Sequence, residues 1–439
     1  MFIAVSVPSP AQVEDGIDQV VYLIGNTAAR SFNEAQLATL QKQLRSEMSP
    51  FALVHLGDIA FPEGDDRQVP ELDPFFNLVK GMGNARLVFT TGDMDWDDSG
   101  EEGLDMVREL EKVVMDRTGD SPVFLPPEGC PGPEVFDFSP GFRLIVLNTQ
   151  WWMHPFDIPE APDSDCGNLT KEEVMESLEE AIEESAGRNI LIIGHHPVTS
   201  SGVYGGHMTL RTHLFPFAES RPGNGIPLPV LGSFYAAYRQ NVGTVRDMAN
   251  ENYQEFIDQM QDLFSRHPGL IYASAHDYNL QLLEYEEGFQ LISGSISHTE
   301  STGNEPGTLF SSSERGYIRL EYLKSGEVRI GFYETGPETP RELYSQVLFR
   351  SACDELTGTP VPVNRYYIPC LEHEKAAGPE EKIPFPTDSA RVRGGEYAAK
   401  GLKRMVLGSL HRETWGTPVS IPYLNLDTAK AGLTPFALG

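Results

Sequence analysis

Short runs of β-branched and aliphatic residues alternate along most of the chain with segments whose apolar positions recur every three or four residues. The runs are VVYLIG (20–25), ALVHLG (52–57), ARLVFTTG (85–92), RLIVLN (143–148), NILIIG (189–194) and LIYASA (270–275). Such nearly unbroken apolar runs suit strands covered on both faces, since a strand with one wet face would alternate polar with apolar. Between them, Leu37, Leu40, Leu44 and Met48 form one helical stripe, opened by a capping box at Ser31 and Glu34. Val174, Leu178, Ala181 and Ile182 form a second, behind Thr170 with Glu173 three residues on. Strand–helix alternation on this scale predicts an α/β layered domain. The late segment YIRLEYLKSGEVRIGFYE (317–334) reads as a hairpin turning at Lys324-Ser325-Gly326-Glu327. A Gly- and Pro-containing stretch, 200–249, interrupts the alternation, and after about Gly336 the periodicity fades. The expected organisation is an N-terminal stub (1–18), a layered domain (19–335) and a Pro-rich C-terminal extension (336–439).

Charge narrows the choice of partners. Lys plus Arg total 33 against 64 Asp plus Glu, a formal charge of -31. A field of that sign repels nucleic acid and anionic lipid, so no nucleic-acid partner is expected. A polyanionic substrate would need a local positive centre, for which a metal ion is the obvious candidate. No apolar run approaches the ~20 residues of a membrane span, so no transmembrane helix is expected. The N-terminal MFIAVSVPSPAQ is either the end of an export signal or a frayed terminus. The four cysteines, Cys130, Cys166, Cys353 and Cys370, contain no C-x-x-C pair, which argues against a structural zinc site. They are compatible with disulfides Cys130–Cys166 and Cys353–Cys370, the alternative being four buried thiols. The expected location is the cell envelope, periplasmic or secreted, with the cytoplasm as alternative.

Candidate chemistry collects where the strand-like runs end. The residues just beyond them are Gly25-Asn26, Gly57-Asp58, Gly92-Asp93, Gly194-His195-His196-Pro197 and Ala275-His276-Asp277. In open α/β sheets ligands bind beyond the carboxyl ends of strands, and glycine permits the sharp exit that aims the next side chain at a shared crevice. One Gly-Asp after a strand is usually a turn, and one His usually a satisfied histidine. Five strand ends together offering Asn, Asp, Asp, His and His point to a mixed oxygen/nitrogen metal site, suited to Zn, Mn or Fe rather than Ca. Asp95, Asp97 and Asp98, in the run DMDWDD, read as solvated loop carboxylates. Asp277 reads as a loop-orienting residue, and Trp151 and Trp152 as wall or core aromatics.

The ordered segments GN-x-A (25–28), GDIAF (57–61), GDMDW (92–96), GHHP (194–197) and AHDYNLQ (275–281) resemble those of the calcineurin-like metallophosphoesterases, closest to their purple-acid-phosphatase-like bacterial branch. LNTQWWMH (147–154), SGVYGGH (201–207), LPVLGSFYAAYR (228–239) and SGSISHTE (293–300) add to the likeness. The resemblance covers roughly 20–335 and implies a layered β-sandwich flanked by helices. It also implies two metal ions that clamp a phosphoryl group. Matched position by position, one metal would use Asp58, Asp93, His195 and His276, with Asp58 bridging to the second and Asp93 standing where the family has Asn. His195 and Asp58 are then the catalytic candidates. The second metal's positions are degenerate, with Asn26 for Asp, Phe61 for Tyr and Tyr278 for His. The family's proton-handling His is Met94. A neutral amide, a phenyl ring and a phenol that ligates only when deprotonated are poor donors, and a thioether donates no proton. His196, Tyr204 and His207 are candidates for the substrate pocket.

Losses confined to one metal and to the proton donor imply one bound divalent ion (Zn, Mn or Fe), a doubtful second and impaired phosphoester hydrolysis. The competing expectation is a pseudoenzyme that keeps the fold as a binding or scaffold domain of the cell envelope. Segment 407–435 resembles the sequence C-terminal to this domain in some bacterial envelope proteins, so an envelope partner would dock through the C-terminal extension.

Overall fold

The computed structural model describes residues 16–28, 37–59, 72–118, 123–162, 164–215, 227–336 and 339–350. The Ser31/Glu34 capping box, Phe61, Cys353, Cys370, most of the stub and the extension beyond residue 350 lie outside the described residues.

Thirteen strands form two sheets among the described residues. They are β1 (Ile17–Ile24), β2 (Phe51–His55), β3 (Ala85–Phe89), β4 (Glu134–Ser139), β5 (Phe142–Val146), β6 (Asn189–Ile193), β7 (Ile271–Ser274), β8 (Leu280–Tyr285), β9 (Gly288–Ser293), β10 (Thr308–Ser312), β11 (Gly316–Leu323), β12 (Val328–Glu334) and β13 (Arg341–Phe349). The first sheet runs β13-β12-β11-β1-β2-β3 and the second β10-β8-β9-β7-β6-β5-β4. β1, β2 and β3 are mutually parallel, as are β5, β6 and β7, while the hairpins at the edges are antiparallel.

Each of the six apolar runs is a strand, and the core shows why they are unbroken. Val21 and Leu23 face the space between the sheets, where they join Leu144, Val146, Leu191, Ile193 and Leu291. Their chain neighbours Val20, Tyr22 and Ile24 face the opposite way, onto α1 (Ala38–Ser46), α2 (Asp73–Val79) and α3 (Gly103–Thr118) through Leu40, Leu44, Phe75, Leu78, Val107, Leu110 and Val114. On the far side of the second sheet, Ile145, Ile190, Ile192 and Tyr272 pack on α4 (Thr149–Met153), α5 (Lys171–Glu183) and α8 (Glu251–Arg266). Two further helices, α6 (Leu210–Leu214) and α7 (Pro229–Asn241), lie in the stretch that interrupts the alternation. The architecture is a β-sandwich flanked by helices, and both faces of each central strand are dry. Burying a Val, Leu or Ile side chain contributes about 1.5–3 kcal/mol, so these three clusters dominate the stability.

Local signals mostly hold. Thr170 and Glu173 form a reciprocal capping box at α5, and the 317–334 hairpin is β11–β12. Two expectations need correction. Met48 is 90% exposed, because α1 ends at Ser46 and the extended Glu47 turns the chain away before the stripe can continue. The layered domain also runs past residue 335, since β13 pairs antiparallel with β12 and its Leu348 and Phe349 join the inter-sheet core.

The loops at the carboxyl ends of the parallel strands are tied to one another. Asn26 N donates to Gly57 O (3.0 Å), and Thr27 N and Ala28 N both donate to Asp58 O (2.8 Å). Asp95, expected as a solvated carboxylate, is buried and accepts from Asp58 N (2.9 Å), Ile59 N (2.8 Å) and Gly92 N (2.8 Å). One side chain thus fastens the exits of β2 and β3. Beneath them, buried His55 meets Thr27 Oγ1 at 2.9 Å and lies against Phe75 and Phe89. Burial, reinforced by nearby His195, lowers its pKa to about 3.

Both features have measurable consequences for stability. Asp95→Ala removes the acceptor of three backbone N–H groups and should destabilise the domain by about 3 kcal/mol or more, read by urea denaturation. For His55, whose ordinary value is 6.5, the unfolded chain takes up the proton first. Its contribution is therefore intact above that pH and falls by about 1.4 kcal/mol per pH unit below it. His55→Gln should show a shallower loss of stability than the parent between pH 6.5 and pH 4; parallel slopes would contradict this.

Candidate metal centre

The carboxyl ends of the two sheets meet at one crest. A Cβ on Gly25, after β1, would press on Ala275, after β7, and Asn26 Nδ2 donates to His276 O across the gap (3.1 Å). Three of the candidate residues sit in the left-handed region: Asn26 (φ 54°), Asp58 (φ 58°) and His276 (φ 59°). Asn, Asp and His tolerate this conformation better than other side chains, and such strain concentrates at functional sites. Gly57 (φ 94°) supplies the turn before Asp58. Gly92 is needed for room, since a Cβ there would collide with the Asp58 carboxylate and the His195 ring.

Asp58, Asp93, His195 and His276 come together, each wholly buried. Asp93 Oδ1 lies 3.1 Å from both His195 Nε2 and His276 Nδ1, which are 3.3 Å from each other. Asp58 Oδ1 lies 3.5 Å from His195 Nε2 and accepts from Met94 N (3.0 Å). The outer ring nitrogens are committed elsewhere. His195 Nδ1 donates to Leu56 O (2.8 Å) and His276 Nε2 donates to Arg246 O (2.7 Å). A neutral imidazole carries one N–H, so the inner nitrogens present lone pairs toward each other and toward a carboxylate oxygen. Electron-rich atoms crowded in this way require a cation among them, and donation of the outer N–H to a carbonyl is how metal-binding histidines are oriented. Asp58 Oδ2 is buried with no hydrogen-bond donor. The donor set, two carboxylates and two imidazoles, fits a divalent ion of the Zn, Mn or Fe type.

The titrations reflect the same crowding. Burial and the Asp93 carboxylate push Asp58 up. Burial also raises Asp93, but the Arg246 guanidinium and the two imidazoles outweigh it and hold this carboxyl well below its ordinary range. Burial lowers His195, and the Asp58 and Asp93 carboxylates reverse that and raise it. One proton or one metal ion would satisfy the group; two metal ions would lack donors.

His196 is drawn into the cluster as well, with a ring nitrogen within 4.8 Å of ligand atoms of Asp93, His195 and His276. Thr149 Oγ1 accepts from His195 N (3.2 Å) and His196 N (3.1 Å), so its proton goes to His196 Nδ1 (2.9 Å). His196 therefore carries its proton on Nε2 and is a hydrogen-bond donor, kept neutral by burial and by the neighbouring imidazoles.

At the second-metal positions the structure describes two residues. The amide of Asn26 is turned so that its nitrogen serves His276 O. Tyr278 stacks edge-on against His298, and burial together with the Asp58 carboxylate raises its pKa, which disfavours a tyrosinate. Phe61 lies outside the described residues. Met94 is buried beside Asp58. Tyr204 stacks on His276 with ring centroids 4.3 Å apart, whereas His207 lies against Gly303 and is not brought into the cluster. Asp277 accepts from Ser200 Oγ (2.5 Å) and Tyr204 N (3.2 Å), holding the loop that carries Tyr204.

Arg246 went unnoticed in the sequence. It lies in the stretch between two helices and reaches Asp93 Oδ2 with Nε (2.6 Å) and Asp98 Oδ1 with Nη1 (3.1 Å). Asp98 thus pairs with a buried cation rather than standing as a merely solvated carboxylate. The only signal was an isolated basic residue, VRDM (245–248), in a strongly acidic chain.

No family model matches the chain, and no curated protein matches it either. Among solved structures it is similar to GAP50, the anchor in the inner membrane complex of Plasmodium, at 15% identity and TM-score 0.43, covering 76% of this chain and 89% of that one. It is also similar to PhoD (12% identity, TM-score 0.48, 92% of this chain and 80% of that one). A third is purple acid phosphatase PPD1 from yellow lupin (11% identity, TM-score 0.44), of which it spans about half, 52%, with 74% of this chain covered. In the order of its motifs, in their convergence on one crest and in its helix-flanked pair of sheets, the chain is similar to the calcineurin-like metallophosphoesterases.

Proposed function

We propose that this protein is a slow phosphoester hydrolase that works with one divalent cation. The observation that supports this reading is the meeting of Asp93 Oδ1, His195 Nε2 and His276 Nδ1 within 3.3 Å, with both outer N–H groups fixed on carbonyls. A cation held there supplies Lewis-acid polarisation of a phosphoryl oxygen and acidifies water. The chain's own residues do the rest. Asp58 and Asp93 hold the charge of the ion, Leu56 O and Arg246 O aim the two imidazoles, and Asp95 keeps the two Gly-Asp turns in register. Met94 offers no proton to the leaving group, and a positioned acid is worth about 10²–10⁴-fold. Esters whose leaving groups need no protonation, such as aryl phosphates, are therefore the favoured substrates.

Purified protein should contain about one Zn, Mn or Fe per chain, lost in Asp93→Ala, and should turn over an aryl phosphate slowly, with Asp58→Ala inactive. Metal analysis beside the same assay checks both. Two ions per chain would contradict the single-ion reading. Tight metal with no turnover across several metals and pH values would favour the alternative, a binding or scaffold domain. The burial of all four ligands and the structural use of the Asn26 amide support that alternative.

We also propose an oxidising compartment, the cell envelope or beyond. The support is a disulfide between Cys130 and Cys166, one of the two expected pairings, which closes a loop of sequence separation 36. A loop of that length stabilises by about 4 kcal/mol in the chain-entropy account. Cys130→Ser should lower stability by that order in urea, and dithiothreitol should do the same to the parent but not to the variant.

A further inference from the structure

Arg246 is not accounted for by the ligand set alone. It sits in a turn that is itself held firmly. Gly243 (φ 73°) opens the turn, Asp247 accepts from Thr244 N (2.8 Å) and Thr244 Oγ1 (2.9 Å), and the same carboxylate pairs with buried Arg239. The carbonyl of Arg246 receives the His276 proton, so the residue is fixed to a ligand through its backbone as well. Its guanidinium lies 5.2 Å from the Tyr204 ring, and Tyr204 in turn stacks on His276. The side chain is 22% exposed and therefore borders both the cluster and solvent.

The unsatisfied atoms around it are informative. Arg246 Nη2 is buried with no acceptor, and Nε, although 2.6 Å from Asp93 Oδ2, lacks the alignment of a hydrogen bond. Across the same centre, Asp58 Oδ2 and Asn26 Oδ1 are buried with no donor. Unused donors and unused acceptors in one small site call for a cation and an anion together. In a chain of formal charge -31, this guanidinium is also the fixed positive charge at the cluster.

We propose that Arg246 binds the oxyanion of the substrate, a phosphate or phosphoester dianion, and so takes over the charge-neutralising part that a second metal ion plays in relatives. The inference rests on the phosphoester reading of the site and deepens it. A guanidinium presents a planar fork that suits two oxygens of a phosphate, whereas Lys offers a point charge. Asp93, which replaces the family's Asn, holds the fork beside the cluster. The bland reading is that Arg246 is only the counter-ion of Asp93.

Orthophosphate binding to the full-length protein, saturated with Mn, separates the two by calorimetry. Metal content and thermal melting of each variant confirm equal occupancy and folding. Arg246→Gln should bind phosphate at least about tenfold more weakly, and Arg246→Lys should fall between. Asp93→Asn frees the guanidinium and should bind phosphate more tightly than the parent at saturating Mn, a direction that misfolding would not produce. Equal phosphate affinity in Arg246→Gln and parent, or weaker binding in Asp93→Asn, overturns the proposal. Arg246-dependent phosphate binding without turnover sinks hydrolysis and leaves this inference standing. Turnover with Arg246-independent phosphate binding does the reverse.

Discussion

Three electron-rich atoms, a carboxylate oxygen and two imidazole nitrogens, lie about as close as hydrogen-bonded partners while both protons that could join them are committed elsewhere. That constraint organises the centre. Leu56 O and Arg246 O each take an imidazole N–H, and each carbonyl belongs to a loop at the crest. Left without a cation, the arrangement would be repulsive in a dry, low-dielectric setting, where like charges are felt strongly. The opposing shifts of Asp58 and His195 away from their ordinary values express the same frustration. A cation resolves it.

The scaffold makes the crowding tolerable. Both sheets send parallel strands toward the same crest, and each contributing strand is buried on both faces by the inter-sheet core and a helical layer. The donors therefore stand on rigid elements, and the short loops between them are fastened by Asp95, by Thr149 and by the backbone bonds among residues 26–28, 57 and 58. Positive φ at Asn26, Asp58 and His276 is tolerated because these neighbours hold the backbone there.

Around the centre, charge is balanced by side chains instead of by a second group of metal donors. Asn26 turns its amide nitrogen to a carbonyl, Tyr278 stays a neutral phenol, and Arg246 faces the carboxylate that stands in place of an amide. These features are mutually consistent: an added negative charge at Asp93, a missing one at Asn26 and a guanidinium nearby. A site so arranged suits one metal ion and an anionic ligand, and handles protons poorly where Met94 stands.

The sequence by itself determined the six buried strands, the β11–β12 hairpin, the α5 capping box and the quartet Asp58, Asp93, His195 and His276. All of these depend on local periodicity or on a glycine exit after an apolar run, which are readable one segment at a time. Only the tertiary structure decided that Asp95 is a buried fastener, that His196 joins the cluster as a donor, that β13 completes the first sheet, and that Arg246 reaches Asp93 from a distant part of the chain. In each of these cases the partner lies on another element. A carboxylate in DMDWDD or an arginine in a turn carries the same local signature whether it meets water or a buried charge, so the pairing exists only once the sheets have brought the loops together.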